Sequence, residues 1–230
     1  MACDEPADPV SHPVGAAAAV GPGSLPAVSM LLDQVALAQH LREGGAALFP
    51  TDTVPALAAS PAQAQSLWRL KLRPMDKPLI LMGADLEQLQ QLLAIPWRRP
   101  WLEMAERSWP GAVTLVLPIE GPITQWLHPG GHSLGLRVPA CAAAQALLRL
   151  SGPLATTSIN RSGQPAALDA LAAACAFPDL PLLAPIPWPA CRGQPSRVLG
   201  WCAASGTTAE AWRELRPGPE GVGQPAPPPD

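Results

Sequence analysis

The chain has 230 residues, 48% of them apolar and 14% charged, with a formal net charge of −3. That suits one large domain or two small ones and argues against a global attraction to nucleic acid, so any RNA contact needs a local basic patch. Five scattered cysteines (Cys3, Cys141, Cys175, Cys191, Cys202) without a Cys-x-x-Cys pair argue against a disulfide framework or zinc site and for a reducing, cytoplasmic compartment, and no apolar run reaches the ~20 residues that span a bilayer.

Residues 1–28 are rich in Ala, Pro, Gly and Val without a period and read as a disordered leader. One domain is expected over 29–218, and the Pro/Gly-rich residues 219–230 read as a disordered tail. Ser29 is expected to cap a helix from Met30 to Glu43, with Leu31, Val35, Ala38 and Leu41 inward and Gly44 or Gly45 at its end. Ala46 to Phe49 reads as a buried strand. It runs into Pro50-Thr51-Asp52-Thr53, a polar turn at a strand's C-terminal end, where α/β folds bind ligands. The same turn can also be a plain capping turn.

Pro61 opens a helix that carries Leu67, Trp68 and Leu70 into Lys71-Leu72-Arg73-Pro74-Met75-Asp76-Lys77-Pro78, followed by a strand over 79–82. Lys71, Arg73 and Lys77 therefore lie where a helix ends and a core strand begins. That suggests a phosphate or carboxylate site, or else a solvated helix end whose cations suit the dipole. A helix over Asp85–Ala94, a helical segment over Trp97–Trp109 with surface Arg98 and Arg99, and a strand over Val113–Leu117 come next. His128 and His132 are four apart, but Pro-Gly-Gly between them makes a loop, and no metal site is expected there.

Arg137 sits in the apolar strand 134–139 and needs an anionic partner, either a ligand or a distant Asp or Glu. After a helix over 142–150, a short strand feeds the loop Thr157-Ser158-Ile159-Asn160-Arg161-Ser162-Gly163, whose polar groups can hydrogen-bond a ligand or simply make a turn. Residues 168–176 read as helix. Residues 180–186, broken by Pro181 and Pro185, read as an edge strand or loop, 197–201 as an apolar run, and 209–215 as helix. The nucleotide-binding glycine loops and His-Glu-x-x-His are missing.

Five runs, in order, resemble the YrdC family of threonylcarbamoyl-AMP synthases. They are Phe49-Pro50-Thr51-Asp52-Thr53-Val54; Lys71-Leu72-Arg73-Pro74 with Asp76-Lys77-Pro78-Leu79-Ile80; Trp109-Pro110-Gly111-Ala112-Val113-Thr114-Leu115; Leu136-Arg137-Val138-Pro139; and Thr157 to Gly163. Pro195-Ser196 and Leu215-Arg216-Pro217-Gly218 match more weakly. The resemblance implies an α/β (α+β) fold: a single YrdC-like domain of the single-domain type, with a twisted mixed sheet, surrounding helices and a concave, positively lined cavity. No extra C-terminal domain is expected.

The activity implied is the joining of L-threonine, bicarbonate and ATP into threonylcarbamoyl-AMP with release of pyrophosphate, a nucleotidyl transfer feeding tRNA threonylcarbamoyladenosine modification. Mg2+ is expected to assist ATP. By the resemblance Lys71 and Arg73 are catalytic; Arg73, Lys77, Asn160 and Arg216 bind ATP; and Thr51, Arg137, Ser158 and Ser196 bind threonine. Contact with tRNA or double-stranded RNA and with tRNA-modification proteins stays open. The alternatives are a diverged paralogue, including an enzyme with another acceptor, and a double-stranded RNA-binding module without this activity. Where the family has an aromatic residue and glycine after Thr-Asp-Thr-Val, this chain has Pro55-Ala56, so that wall is expected to differ. Ser196-Arg197-Val198 stands for a Ser-Thr-Val-type run, and Met82 stands where some relatives have His.

Overall fold

A computed structural model describes residues 30–203 and 210–218; the expected leader, Ser29 and the expected tail lie outside them. Along the chain run β1 (Leu31–Leu32), α1 (Gln34–Arg42), β2 (Ala46–Phe49), β3 (Ala56–Ala59), a 3-10 turn (Pro61–Gln63), α2 (Gln65–Lys71), β4 (Ile80–Met82), α3 (Leu86–Leu93) and α4 (Arg99–Ser108). Then come β5 (Val113–Leu117), α5 (Pro122–Leu127), β6 (Leu134–Arg137), α6 (Ala142–Ser151), β7 (Leu154–Ser158), α7 (Ala170–Ala176), β8 (Leu182–Leu183), β9 (Arg197–Ala203) and β10 (Glu210–Arg216). The strands form one mixed sheet in the order β1-β8-β2-β3-β7-β4-β6-β5-β9-β10, the α/β architecture expected. Among the described residues no helix is long and apolar enough to cross a membrane.

The sheet's two faces do different work because successive side chains in a strand point to opposite sides. On one side Leu57, Leu81, Leu115, Leu136, Ala155 and Leu199 are all buried. They pack with Leu67 and Trp68 of α2, Leu127 of α5, Ala173 of α7 and Met104 of α4. On the other side Leu37 and Leu41 of α1 and Leu147 and Leu148 of α6 cover Ala47, Phe49, Ala58 and Leu154. Beyond that cover, six neighbouring strands turn a second row outward: Ala56, then Thr156 and Ser158, Ile80 and Met82, Gly135 and Arg137, Thr114 and Val116, and Val198. This row lines two adjoining cavities.

Several expected elements change. The first helix begins at Asp33, whose carboxylate accepts from Ala36 N at 2.9 Å, and not at Ser29. Leu31 and Leu32 pair instead with Leu182 and Leu183. The later start leaves Val35 exposed and buries Leu37, Ala38 and Leu41. Gly44, at φ 96°, ends the helix, with Gly44 N donating to Leu41 O and Gly45 N to His40 O, a Schellman closure. Residues 182–183 do not form the edge, since β1 lies outside them.

The expected helix over 209–215 is the strand β10 (residue 209 itself lies outside the described residues). Its Trp212 faces Trp201 of β9 across the ladder, with ring centroids 5.3 Å apart. Such a cross-strand aromatic pair outweighs the local helix preference of Glu, Ala and Leu. The strand β3 and helix α5 were not expected. Ala-Leu-Ala-Ala carries weak strand propensity and becomes a strand through its fully buried place between β2 and β7.

Ala56 is an ordinary strand residue: among the described non-glycine residues only Leu72 and Ala94 have positive φ. Ala56→Gly should therefore destabilise the fold by about 0.5–1 kcal/mol, the usual cost of glycine in a strand. A rise in urea midpoint for this variant would show that Ala56 is strained.

Candidate active site

Two cavities sit side by side on the open sheet face. The first, about 170 Å³, is lined by Thr53, Arg137, Thr156, Thr157, Ser158 and Ser196, among others. The second, about 260 Å³, is lined by Lys77, Thr114, His128, Ser133 and Gly135, among others. Arg73, Pro78, Ile80 and Arg216 border both, and neither has a carboxylate in its lining. Each lining thus has three cations, Arg73 and Arg216 with Arg137 in the first and with Lys77 in the second, and the first is the richer in hydroxyls.

Arg137 ends β6 and is 4% exposed. Its partner is the distant carboxylate allowed by the sequence: Nη2 donates to Asp52 Oδ1 at 2.6 Å, Nη1 to Thr53 Oγ1 at 2.7 Å and Nε to Gly111 O at 3.2 Å. Burial pulls the guanidinium below its ordinary value, and Asp52 works against that loss. Three of its five N–H groups are used, leaving two for a ligand. Asp52 Oδ1 also accepts from Ala140 N at 3.1 Å. Thr51 stands one layer back: its hydroxyl donates to Val54 O at 2.7 Å and accepts from Thr53 N at 3.2 Å, locking the turn. Thr51 is not among the lining residues; Thr53, which was not singled out, is.

The basic stretch divides in the same way. Lys71 ends α2 with its side chain 2% exposed. Its ammonium donates to Ser158 O at 2.5 Å, Asn160 Oδ1 at 2.6 Å and Ser158 Oγ at 3.5 Å, which uses all three protons. Ser158 Oγ donates in turn to Asn160 Oδ1 at 2.7 Å. Lys71 and Asn160 therefore support the wall from behind, and only Ser158 of the three lines a cavity. Burial, and next the charge of Arg73, push the Lys71 ammonium down from 10.5 to about 7.

Arg73 follows the left-handed Leu72 (φ 51°), which turns its guanidinium out of the helix line and toward the cavities. Arg73 donates to Thr157 Oγ1 at 3.1 Å and Pro78 O at 3.2 Å, while its buried Nε has no partner. A buried unpaired donor beside two cavities suits an incoming anion. Ser196 and Thr114 share a 2.8 Å hydrogen bond, and Arg216 donates from Nε and Nη2 to Ser196 O at 3.1 and 2.8 Å. The hairpin β9–β10 thereby carries Arg216 to the border of both cavities.

Among the described residues no three His, Cys, Asp or Glu side chains stand close enough to hold a metal ion. The linings of the two cavities offer no carboxylate to hold Mg2+. In the expected His-Pro-Gly-Gly-His loop, His132 pairs with Glu120 at 3.0 Å and His128 Nδ1 with Ser133 O at 2.9 Å. Glu120 is a carboxylate that sequence proximity did not suggest. Thr157 belongs to the polar loop expected to hydrogen-bond a ligand and does line the first cavity. Thr114 and Thr156 were given no role from the sequence; their alternation with buried neighbours was the signal available.

Two adjoining cationic pockets, one of them hydroxyl-rich, on the uncovered face of a mixed sheet, define an α/β domain built to hold an anionic ligand. Residues 39–205 match the family model Sua5/YciO/YrdC, described as "Telomere recombination", and the chain belongs to that family. A protein named threonylcarbamoyl-AMP synthase from Pseudomonas paraeruginosa is 37% identical over 134 residues, covering 56% of this chain and 71% of its own. One of the same name from Chromobacterium violaceum is 34% identical over 169 residues, covering 72% and 87%. The crystal structure of P. abyssi Sua5 complexed with L-threonine superposes with a TM-score of 0.71 at 30% identity; the match covers 83% of this chain but only 56% of that one.

The lowered Lys71 value has a stability consequence. A lysine whose folded value falls from 10.5 to about 7 binds fewer protons folded than unfolded across that interval. Its burial penalty is full below pH 7 and is relieved as pH rises toward 10.5, so stability should climb with pH. Denaturant midpoints at pH 7, 8 and 9 should show the wild type gaining on Lys71→Met. A pH-independent difference would mean that Lys71 titrates near its ordinary value.

Proposed function

We propose that this chain is a threonylcarbamoyl-AMP synthase that joins L-threonine, bicarbonate and ATP and releases pyrophosphate. The observation that carries this reading is the pair of adjoining cavities bordered jointly by Arg73 and Arg216. Membership of the family and the names of the relatives support it.

In this reading threonine lies in the hydroxyl-rich cavity. Its carboxylate takes the two spare Arg137 N–H groups, with Thr53, Ser158 and Ser196 as neutral partners. The polyphosphate lies across Arg73 into the second cavity toward Lys77 and Arg216. The threonine amine combines with bicarbonate to give the N-carboxylate and water. An oxygen of that carboxylate attacks the α-phosphorus of ATP, the bond to the β-phosphate oxygen breaks, and pyrophosphate leaves.

Such a transfer needs positioning and charge neutralisation more than a protein nucleophile. Lys71, Asn160 and Thr51 serve it by holding Ser158 and Thr53 in place. Mg2+ would arrive bound to the phosphate oxygens, since the described residues offer no carboxylate cage. The product's use in tRNA modification, the nucleotidyltransferase class and a cytoplasmic setting belong to the same reading.

Incubation with threonine, bicarbonate and ATP should give threonylcarbamoyl-AMP and pyrophosphate, resolved by chromatography. Release of pyrophosphate with only another acceptor would instead favour a diverged paralogue, and no release at all would favour a binding module. Arg73→Ala should cut the rate at least about tenfold, the value of a charge-assisted phosphate contact. Arg98→Ala, which removes an exposed guanidinium stacked 5.0 Å over Trp101, should leave the rate near wild type. Arg137→Lys should raise the KM for threonine more than that for ATP, because a lysine cannot make the forked contact.

A further inference from the structure

The second cavity contains a group that the family reading does not use. His128 follows α5, and its ring forms part of the wall that also carries Lys77, Arg73 and Arg216. Nδ1 lies 2.9 Å from the Ser133 carbonyl. A carbonyl only accepts, so Nδ1 carries the proton. Nε2 is bonded to no described residue, and the neighbouring His132 is engaged with Glu120.

The loop around the ring is built to hold it. Gly130 has φ +74°, and its N–H donates to Gln125 Oε1 at 3.1 Å. Gln125 Nε2 donates to Gly131 O at 3.0 Å, and Gly131 N to His128 O at 2.9 Å. The imidazole lies flat against Gly131: a Cβ there would fall 2.2 Å from Nδ1 and 2.3 Å from Cε1. Gly131 itself does not have a positive φ, so the missing side chain serves the ring and not the backbone. The cavity floor is also glycine. Gly135 stands mid-strand in β6, where a Cβ would meet only ordinary contacts, the nearest at 3.5 Å to Thr114 Cγ2. A glycine that neither its backbone nor its neighbours demand leaves room for a ligand.

We propose that His128 is a phosphate-binding residue of the second cavity, holding through Nε2 the terminal, pyrophosphate end of the nucleotide. The placement of that end rests on the synthase reading; the anion site itself rests on the cavity. Three cations with no carboxylate in the lining select an anion. The bond from imidazole to a phosphate oxygen needs one shared proton, whichever partner carries it. Gly131 acts as a positioning residue through the ring.

Titration calorimetry with inorganic pyrophosphate tests this on the full chain. His128→Ala should weaken pyrophosphate binding about tenfold, as expected for loss of a charge-assisted contact. Gly131→Ala, which keeps the histidine but displaces its ring, should weaken it in the same direction. Threonine affinity should stay at the wild-type value in both, with both variants folded at the assay temperature. Pyrophosphate binding within about twofold of wild type in both variants, or none in the wild type, would overturn the proposal. Threonylcarbamoyl-AMP formation by the wild type, measured alongside, separates the two ideas. Product formed with His128-independent pyrophosphate binding sinks the proposal alone. His128-dependent binding without product sinks the synthase reading and leaves the anion site standing.

Discussion

A guanidinium that is almost wholly buried must have its charge balanced nearby, and the balancing of Arg137 ties distant parts of this chain together. The strand β6 carries Arg137, and the turn after β2 supplies Asp52 and Thr53. These stretches are 85 residues apart in sequence at the Asp52 contact. The same turn accepts from the loop before β9, through Arg192 N to Asp52 O and Gly193 N to Thr53 O. Ser196 closes that loop onto Thr114 of β5. A single ion pair and its neighbours therefore fix the relative positions of four segments around the first cavity. Removing Asp52 would leave a buried charge without its partner, so its loss should disturb more than one contact.

The substitution of Pro55-Ala56 for the family's aromatic and glycine is absorbed by the strand that follows. Ala56 pairs with Phe49 and Ser158 as an ordinary ladder residue, and Pro55 contributes its carbonyl to Ile159 N at 3.3 Å. Proline needs no acceptor for an N–H it lacks, and its fixed φ suits the entry to an extended segment. The wall at this point is therefore a rigid strand start with a small side chain. A glycine is not required there because the backbone at Ala56 does not have positive φ.

Much of the fold was legible in the sequence because local signals and tertiary roles agree. The strand Val113–Leu117 and the helix over 142–150 were readable from apolar runs and spacing, and the end of α2 from Pro74 and Pro78. The misreadings fall where tertiary pairing overrides local preference. Glu210 to Arg216 carries helix-forming residues but gains a Trp–Trp pair as a strand. Leu31 and Leu32 join a parallel edge that only the distant residues 182–183 can offer.

The candidate site was half legible for a similar reason. Residue type pointed to Arg73, Lys77, Arg137 and Ser158, the family resemblance added Ser196 and Arg216, and all six line a cavity. Residue type does not tell a wall from its backing, which depends on which way a side chain leaves its element. Lys71, Thr51 and Asn160 look like ligand contacts in sequence, yet they spend their hydrogen bonds on the protein.

That division clarifies how a chain of net charge −3 can hold a polyanion. The surface as a whole offers no attraction, and at physiological ionic strength charges more than about 8 Å apart are largely screened. What counts is the local composition: Arg73, Lys77, Arg137 and Arg216 line the two cavities, and no carboxylate does. Asp52, the acid nearest to them in the bonding network, is committed to Arg137 and Ala140. Lys71 adds its charge only in part, since burial and Arg73 bring its ammonium down to about 7. A fully charged lysine behind Arg73 would spend folding energy on repulsion when no ligand is present. A lysine poised near neutrality holds the Ser158–Asn160 wall by hydrogen bonds at a lower electrostatic cost, and leaves the recognition of anions to the guanidinium groups in front of it.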